Sequence, residues 1–145
     1  MAEPQRPRPA ADALTEPFWA AARAHRLVVQ RCGACGTWQH PPQTRCHHCG
    51  ASDRLAWTPV SGQARVVSWT RVRQGLVAGF DDALPYVVLV VELAEQAGLY
   101  LLSDLPESDP RLPGCLRVGA PVEVEFQDVG GRYVLPQFRP VGGAR

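Results

Sequence analysis

Apolar and polar side chains alternate along most of the chain after residue 57, which is the pattern of half-buried β-strands. The alternation is clearest in residues 121–129, where Val122, Val124 and Phe126 fall on one face. Four further segments fit strands, at residues 65–73, 85–95, 98–105 and 132–138, and Gly130-Gly131 fits a hairpin turn before the last. Five short strands in about 80 residues predict a small barrel.

The strand at residues 65–73 has a specific predicted orientation. Simple alternation places Val66, Ser68, Thr70 and Val72 on one face. Val67 and Trp69 then fall on the opposite face, between arginines.

The first part of the chain has a different pattern. Residues 1–14 alternate proline with charged residues, which predicts a disordered tail. A short helix is expected next, up to about residue 25, with Thr15 as its N-cap and Pro17 in its first turn. Phe18 and Trp19 lie on its apolar face, which is expected to pack against the next module or to contact a partner.

Two pairs of cysteines dominate residues 27–56. Cys32 and Cys35 are separated by two residues, Cys46 and Cys49 likewise, and ten residues lie between the pairs. A Gly directly after each second cysteine permits a tight turn that brings both sulfurs to one point. Two such knuckles supply four thiolates in a tetrahedron, which predicts a structural zinc site with no open position for catalysis. Iron is the alternative metal, because a four-thiolate knuckle pair also describes rubredoxin.

Three other histidine and cysteine positions are predicted to be structural. His47 and His48 lie inside the second knuckle and are expected to be exposed, although either could replace a thiolate. Cys115 is far from the knuckles, and a lone cysteine is usually a small buried hydrophobic residue.

The amino-acid composition excludes several classes of function. The 145 residues include 15 arginines and no lysine, against 14 acidic residues, for a net charge of +1. A strongly basic nucleic-acid binder is not indicated, and without lysine neither Schiff-base catalysis nor a P-loop is possible. No segment approaches the roughly 20 apolar residues of a membrane span. We expect a cytoplasmic protein, where thiols stay reduced and disulfides are rare.

The ensemble of motifs resembles a known family. The motifs that carry the resemblance are the helix with Phe18-Trp19, the two knuckles, His40-Pro41-Pro42, and the downstream segments around Leu84-Pro85-Tyr86 and Pro136-x-Phe138-Arg139-Pro140. Together they are similar to rubredoxin-like zinc-ribbon plus OB-fold proteins of acyl-CoA metabolism. That family has long been catalogued as a domain of unknown function. The resemblance implies a mainly β fold: an N-terminal helix and zinc ribbon at residues 15–56, a five-stranded OB-fold barrel at 57–140, and a tail at 141–145.

The resemblance also implies a role. Such proteins are non-catalytic subunits in hetero-oligomers with thiolase-fold enzymes: thiolases, acyltransferases, and lipid-transfer-protein-like aldolases of steroid side-chain degradation. Their OB-fold is associated with binding of CoA thioesters or with access to the partner's active site. No catalytic residue is therefore expected in this chain.

Candidate ligand and partner residues follow from that role. Arg65, Arg71 and Arg73 lie on or beside one predicted strand and could hold a CoA phosphate, or form a solvated strand face. Residues 74–84 join two strands and include Phe80, which suggests a flexible gate with an aromatic tip, or an ordinary connection. Phe18, Trp19 and Phe80 are the candidate partner contacts.

Two competing functions are retained. Zinc ribbons and OB-folds also occur in single-stranded nucleic-acid-binding modules, which require a basic groove with stacking aromatic side chains. The net charge and the outward Glu123 and Glu125 argue against that function. A free-standing enzyme would require a nucleophile and a base, and no Ser-His-Asp arrangement stands out in the sequence.

Overall fold

The computed structural model describes residues 6–131 and 133–141. Within these residues, helix α1 (Glu16–Arg23) precedes the strands, and two short 3-10 helices, Asp81–Ala83 and Leu112–Gly114, lie in loops. The strands are β1 (Val28–Cys32), β2 (Trp38–Gln39), β3 (Leu55–Pro59), β4 (Gln63–Val72), β5 (Tyr86–Leu93), β6 (Tyr100–Pro106), β7 (Pro121–Val129) and β8 (Tyr133–Pro140). Residues 1–5 and 142–145, which belong to the two predicted tails, lie outside the described residues, as does Arg132 of the predicted last strand.

Helix α1 begins where the sequence predicts. Pro17 lies in its first turn, and Ala21 and Ala22 are buried. Thr15 occupies the N-cap position, but its side chain does not cap the helix. Its hydroxyl instead donates to Asp12 at 2.7 Å and accepts from the Asp12 backbone N–H at 3.0 Å. The predicted side-chain cap is therefore wrong, because the nearby carboxylate satisfies the hydroxyl first.

The ribbon contains a three-stranded antiparallel sheet in the order β2-β1-β3. Strand β3 pairs with β1 along its whole length, from Val28–Pro59 to Cys32–Leu55. The boundary predicted at residue 57 therefore falls inside a strand of the ribbon sheet.

The barrel consists of a five-stranded antiparallel sheet in the order β6-β5-β4-β7-β8. All five predicted strands are confirmed, and Gly130-Gly131 forms the turn between β7 and β8. The edge strands β6 and β8 meet through side chains. Buried Ser103 donates to Gln137 Oε1 at 2.8 Å and accepts from the Phe138 backbone N–H at 2.8 Å. These bonds satisfy polar groups that would otherwise be left unpaired at the seam.

The predicted orientation of β4 is wrong in its second half. The pairing with β5 shifts by one residue between Val66 and Ser68, which is a β-bulge. A bulge inserts one extra residue and reverses the alternation beyond it. Trp69 therefore packs against the core, whereas Ser68 and Thr70, expected on the face of buried Val66, are exposed.

One apolar core extends from the barrel into the ribbon. Phe138 and Leu89 are fully buried in the barrel, and Leu27 and Val29 belong to the same cluster from the ribbon side. A polar clamp also joins the two parts. The Gln96 side chain accepts from the Trp38 backbone N–H at 2.9 Å and donates to the Trp38 carbonyl at 3.0 Å. No helix among the described residues has the length and apolarity that a membrane span requires.

Candidate metal centre and apolar groove

The four predicted metal ligands come together at the tips of the two knuckles. The Sγ atoms of Cys32 and Cys49 lie 3.7 Å apart, those of Cys35 and Cys46 lie 3.6 Å apart, and all four fall within 4.8 Å of one another. A tetrahedral ion with metal–sulfur bonds of about 2.3 Å needs sulfur separations of about 3.8 Å. The four thiols therefore fit a closed, tetrahedral structural metal site.

Each knuckle closes on its glycine, as the sequence predicts. Gly36 and Gly50 both have φ of +78°, a conformation that residues with a Cβ rarely adopt. The Gly36 N–H donates to the Cys32 carbonyl at 2.8 Å, and the Gly50 N–H donates to the Cys46 carbonyl at 2.9 Å. The turn is thus tight enough to aim both sulfurs of each pair at the same point.

The thiols have unequal proton affinities. The hydroxyl of Thr37 lies 3.3 Å from Cys35 Sγ. This contact, together with a second one from the Thr37 backbone N–H, lowers the pKa of Cys35 to about 6. At Cys49 the N–H of Ala51 lowers the pKa, but burial and the neighbouring thiols raise it to about 11. A thiol cluster that includes such a ligand releases protons when a metal binds.

A buried glutamine network supports the metal site. The side-chain Nε2 of Gln39 donates to Gln30 Oε1 at 2.9 Å. The side-chain Oε1 of Gln39 accepts from the His47 backbone N–H at 3.0 Å. The His47 ring Nδ1 also lies 3.1 Å from that oxygen. His47 is therefore held by Gln39, and the four ligand atoms that lie within 4.8 Å of one another are the cysteine sulfurs. The sequence analysis missed this network, because isolated glutamines carry no spacing signal.

The candidate aromatic residues Phe18, Trp19 and Phe80 line one apolar groove. It encloses about 1160 Å³ between α1, the 40–42 segment, and strands β5 to β8. Aromatic, aliphatic and proline side chains form most of its walls. They include Pro41, Pro42, Tyr86, Val88, Tyr100, Leu102, Val129, Leu135 and Pro136.

The helix aromatics are only partly covered by the rest of the chain. The Trp19 ring meets Tyr133 edge-to-face with centroids 5.8 Å apart, and it meets Phe18 in the same way at 5.0 Å. Phe18 also approaches Trp57 at 6.4 Å. Both side chains remain half-buried and line the groove. They therefore pack against the next module and also present a surface to the groove.

The loop at residues 74–84 differs from the predicted gate in one respect. Phe80 packs against Tyr86 with ring centroids 5.8 Å apart and is half-buried. The exposed apolar side chains of the loop are Leu76 and Val77, 81% and 46% exposed. The tip is therefore aliphatic, and Phe80 lies at the groove wall.

The three candidate arginines do not line the groove. Arg71 and Arg73 both approach Glu107 Oε1, at 3.0 and 3.9 Å. Arg65 lies near the opposite end of β4, in register with Glu92 of β5 and Pro121 of β7. Two arginines sharing one carboxylate leave a net positive charge at the Glu107 end of β4.

Other exposed apolar residues were missed in the sequence. Leu102 and Tyr100 on the outer face of β6 are 68% and 45% exposed and lie on the groove wall. The signal was present, because residues 100–102 are apolar on both faces of an edge strand.

Cys115 has the properties of a structural thiol. It is fully buried in the barrel core. Burial raises the pKa of the Cys115 thiol, which is the opposite of what a nucleophile requires.

Two family models match the chain in succession. Residues 19–54 match the ChsH2 rubredoxin-like zinc ribbon domain, and residues 57–127 match the ChsH2 C-terminal OB-fold domain. The first range contains the two knuckles, and the second contains strands β4 to β6 and most of β7; the boundary between the two ranges falls at β3, which pairs with β1 in the ribbon sheet.

Three curated proteins are similar in sequence. A probable enoyl-CoA hydratase alpha subunit of Thermomonospora curvata is 36% identical over 137 residues, and a 3-oxo-4,17-pregnadiene-20-carboxyl-CoA hydratase alpha subunit of Mycobacterium tuberculosis is 31% identical over 121 residues. The matches cover 93% and 83% of this chain but 40% and 36% of those proteins. A DUF35 domain-containing scaffold protein of Methanothermobacter thermautotrophicus is 30% identical over 105 residues, which cover 72% of this chain and 74% of that protein.

Two solved structures have a similar fold. A chain of an Ltp2-ChsH2(DUF35) aldolase has 34% identity and a TM-score of 0.77, with 93% of this chain and 100% of that chain covered. A DUF35 family protein of unknown function from Sulfolobus solfataricus has 16% identity and a TM-score of 0.56, with 85% and 84% covered. The second comparison supports the fold alone.

Proposed function

The chain belongs to the DUF35 family of rubredoxin-like zinc-ribbon and OB-fold proteins, and from this premise we propose that it is a non-catalytic subunit of an enzyme complex. In this proposal it binds a thiolase-fold partner and supports the partner's action on acyl-CoA thioesters. The observation that carries the proposal is the match to the Ltp2-ChsH2(DUF35) aldolase chain, which extends over that whole chain.

The surface of the chain supports a role in assembly. Leu102 and Tyr100 are exposed on the groove wall, and Leu76 is exposed at the loop tip. Large apolar patches on a soluble protein mark interaction sites, because their exposure to water is unfavourable. We propose that the partner covers the groove wall and that Trp19 and Phe80 lie at or near the interface or the acyl-CoA entrance.

The chemistry of the chain supports the absence of catalysis. Four cysteine ligands close the coordination shell, so a bound metal has no position for substrate. Cys115 is buried, and its thiol pKa is raised. We propose that the catalytic residues belong to the partner and that the metal is a structural Zn²⁺, with iron as the alternative.

The acyl-CoA part of the proposal rests on charge and on relatives. Two of the similar proteins are named as hydratase subunits for CoA thioesters, one of them steroid-derived. We propose that the positive end of β4, at Arg71 and Arg73, contacts a CoA phosphate when the complex forms, with Arg65 as a weaker candidate. Arginine suits this role because its planar guanidinium binds phosphate in bidentate fashion.

A single-stranded nucleic-acid-binding module is the second candidate. The aromatic groove offers the stacking surfaces that such modules use. The same groove is lined by two carboxylates, Asp104 and Asp128, which offset the two arginines at its mouth, Arg6 and Arg8. Such a groove has no excess of positive charge to follow a phosphate backbone, so the subunit function is the better supported of the two.

A matched pair of surface variants tests the assembly. Leu102 and Val118 are exposed to similar extents, 68% and 66%, but Val118 does not line the groove. The chain is co-expressed with thiolase-fold proteins of the same genome and examined by size-exclusion chromatography. We expect Leu102→Asp to weaken the complex at least about tenfold, as truncation of an interface anchor does, and Val118→Asp to leave it intact.

Two results would contradict the proposal. One is a free monomer beside every thiolase-fold candidate, combined with binding of single-stranded nucleic acid at physiological salt. The other is an equal effect of the two variants on the complex. If the complex forms, Arg71→Ala should reduce the use of acyl-CoA more than assembly, because a phosphate contact is lost while the apolar anchors remain.

A further inference from the structure

The proline-rich segment before the helix crosses the mouth of the groove. Residues 6–9, with the sequence Arg-Pro-Arg-Pro, line the groove together with Trp19 and Phe80. We call these residues the strap. Two prolines restrict its backbone, and among the described residues none of residues 6–9 makes a backbone–backbone hydrogen bond. Side chains alone therefore fix it.

The strap is held by polar contacts of Arg6 at one rim of the groove and lies close to the other rim through Arg8. On one side, Arg6 Nε donates to the Gly79 carbonyl at 3.2 Å, its Nη2 lies 3.2 Å from Asp82 Oδ1, and its guanidinium lies 5.1 Å from the Phe80 ring centroid. On the other side, the Arg8 guanidinium lies against Gly130 in the β7–β8 turn. The segment thus spans from the loop at residues 74–84 to the far end of the barrel.

The anchors are individually weak. The side chains of Arg6 and Asp82 are 39% and 79% exposed, and exposed ion pairs contribute little because water and salt screen them. The cation–π contact with Phe80 adds a similar modest amount at an exposed site. An apolar group that buries the walls around Trp19 and Leu102 would gain more than the strap does, since burial of apolar surface scales with area.

We propose that the strap is a displaceable cover of the groove. In the free chain it closes the groove, and an extended apolar group, such as an acyl chain, enters only when Arg6 leaves Phe80 and Asp82. Occupancy of the groove and release of the strap are then one coupled equilibrium. This inference concerns the chain alone and goes beyond the subunit function, so its test needs no partner enzyme and no acyl-CoA.

The absence of lysine allows a direct measurement of strap release. In a chain expressed with this sequence, the α-amine at its N-terminus is the only primary amine because lysine is absent, so an amine-reactive fluorophore labels one site shortly before the strap in sequence. We expect its anisotropy to fall in Arg6→Ala. Arg117→Ala is the matched control, because Arg117 is exposed and its side chain has no hydrogen bond to any described residue. Its anisotropy should equal that of the unchanged chain.

Access to the groove is measured with the uncharged apolar fluorophore Nile red, so that loss of a charged side chain does not itself alter the attraction of the probe. We expect Arg6→Ala to bind it about fivefold more tightly than the unchanged chain, the effect of losing one cation–π contact and one exposed ion pair. Asp82→Ala should give a smaller gain, and the double variant should gain no more than Arg6→Ala alone, because both changes break the same contact. Metal content and thermal midpoint confirm that each variant is folded.

Salt provides a test without mutation. In 1 M NaCl the Arg6–Asp82 pair is screened, so the anisotropy of the labelled, unchanged chain should fall and probe binding should rise. Equal anisotropy in Arg6→Ala and Arg117→Ala would overturn the proposal. So would a released strap with no gain in probe binding, or fully additive gains in the double variant. None of these results depends on whether the chain assembles with a thiolase-fold enzyme.

Discussion

The ribbon and the barrel are stabilised by different means within one small chain. The ribbon has four cysteines and a glutamine network at its centre, and its apolar contribution is mostly Leu27 and Val29 at the junction. The barrel has a continuous apolar core around Phe138 and Leu89. The ribbon is therefore expected to depend on its metal, and the barrel on burial of apolar surface.

The cysteine cluster and the apolar groove also differ in where they lie. The four cysteines do not line the groove, which lies between the two parts and uses residues from both. Helix α1 and residues 40–42 from the ribbon side meet strands β5 to β8 of the barrel there. A metal bound by these cysteines would act on the groove indirectly, because it would fix the ribbon that forms one of the groove walls.

The largest expected effect comes from removing a metal ligand. Cys46→Ser should lose the metal and unfold the ribbon, since the metal contributes about 10–16 kcal/mol to folding in small zinc modules. Elemental analysis should find about one zinc per unchanged chain and none in the variant. Amide exchange should become fast in β1 and stay slow in β5.

A cysteine outside the knuckles is the control for that experiment. Cys115→Ala should retain the metal, because Cys115 lies in the barrel core. A full equivalent of metal in Cys46→Ser, or iron in place of zinc in the unchanged chain, would contradict the assignment of the site.

The second-largest effect is expected from a change in the barrel core rather than in the ribbon. Phe138→Ala should lower the free energy of unfolding by about 3–5 kcal/mol, because it leaves a cavity in a core position that is fully buried. The metal content should stay near one per folded chain. Urea denaturation with metal analysis measures both quantities, and the milder Phe138→Leu should cost less. Loss of the metal in a folded Phe138→Ala protein would show that the ribbon does not hold its metal independently of the barrel.

The smallest effect tests the joint between the two parts. Gln96→Ala removes two hydrogen bonds to the backbone of Trp38 and should cost about 1–2 kcal/mol. Hydrogen exchange should accelerate at the Trp38 amide while β5 stays protected. Gln74→Ala is the control for loss of a glutamine side chain, because Gln74 is exposed. An unchanged Trp38 amide in Gln96→Ala would mean that apolar contacts alone hold the ribbon in place.

The sequence by itself determined the four-cysteine cluster, the five strands of the barrel and the family. Cys32 and Cys35, or Cys46 and Cys49, are close in the chain, so a local turn with one glycine brings each pair together. Alternation over residues 121–129 identified β7 at its observed bounds, because every second side chain of a strand faces the core. The same rule failed in β4, where a bulge reversed the faces after Val66.

Only the tertiary structure decided which surfaces the groove residues form and which partners the arginines contact. Trp19, Phe80 and Leu102 line one groove although they are far apart in the chain. Arg71 and Arg73 at the end of β4 both approach Glu107, which follows β6 more than 30 residues later. The strap contacts residues more than 70 positions away. Such contacts depend on how strands are ordered in the sheet and how the ribbon docks on the barrel. Local propensity and spacing act over a few residues, so they determine the elements and the metal turns but not the surfaces that distant elements form together.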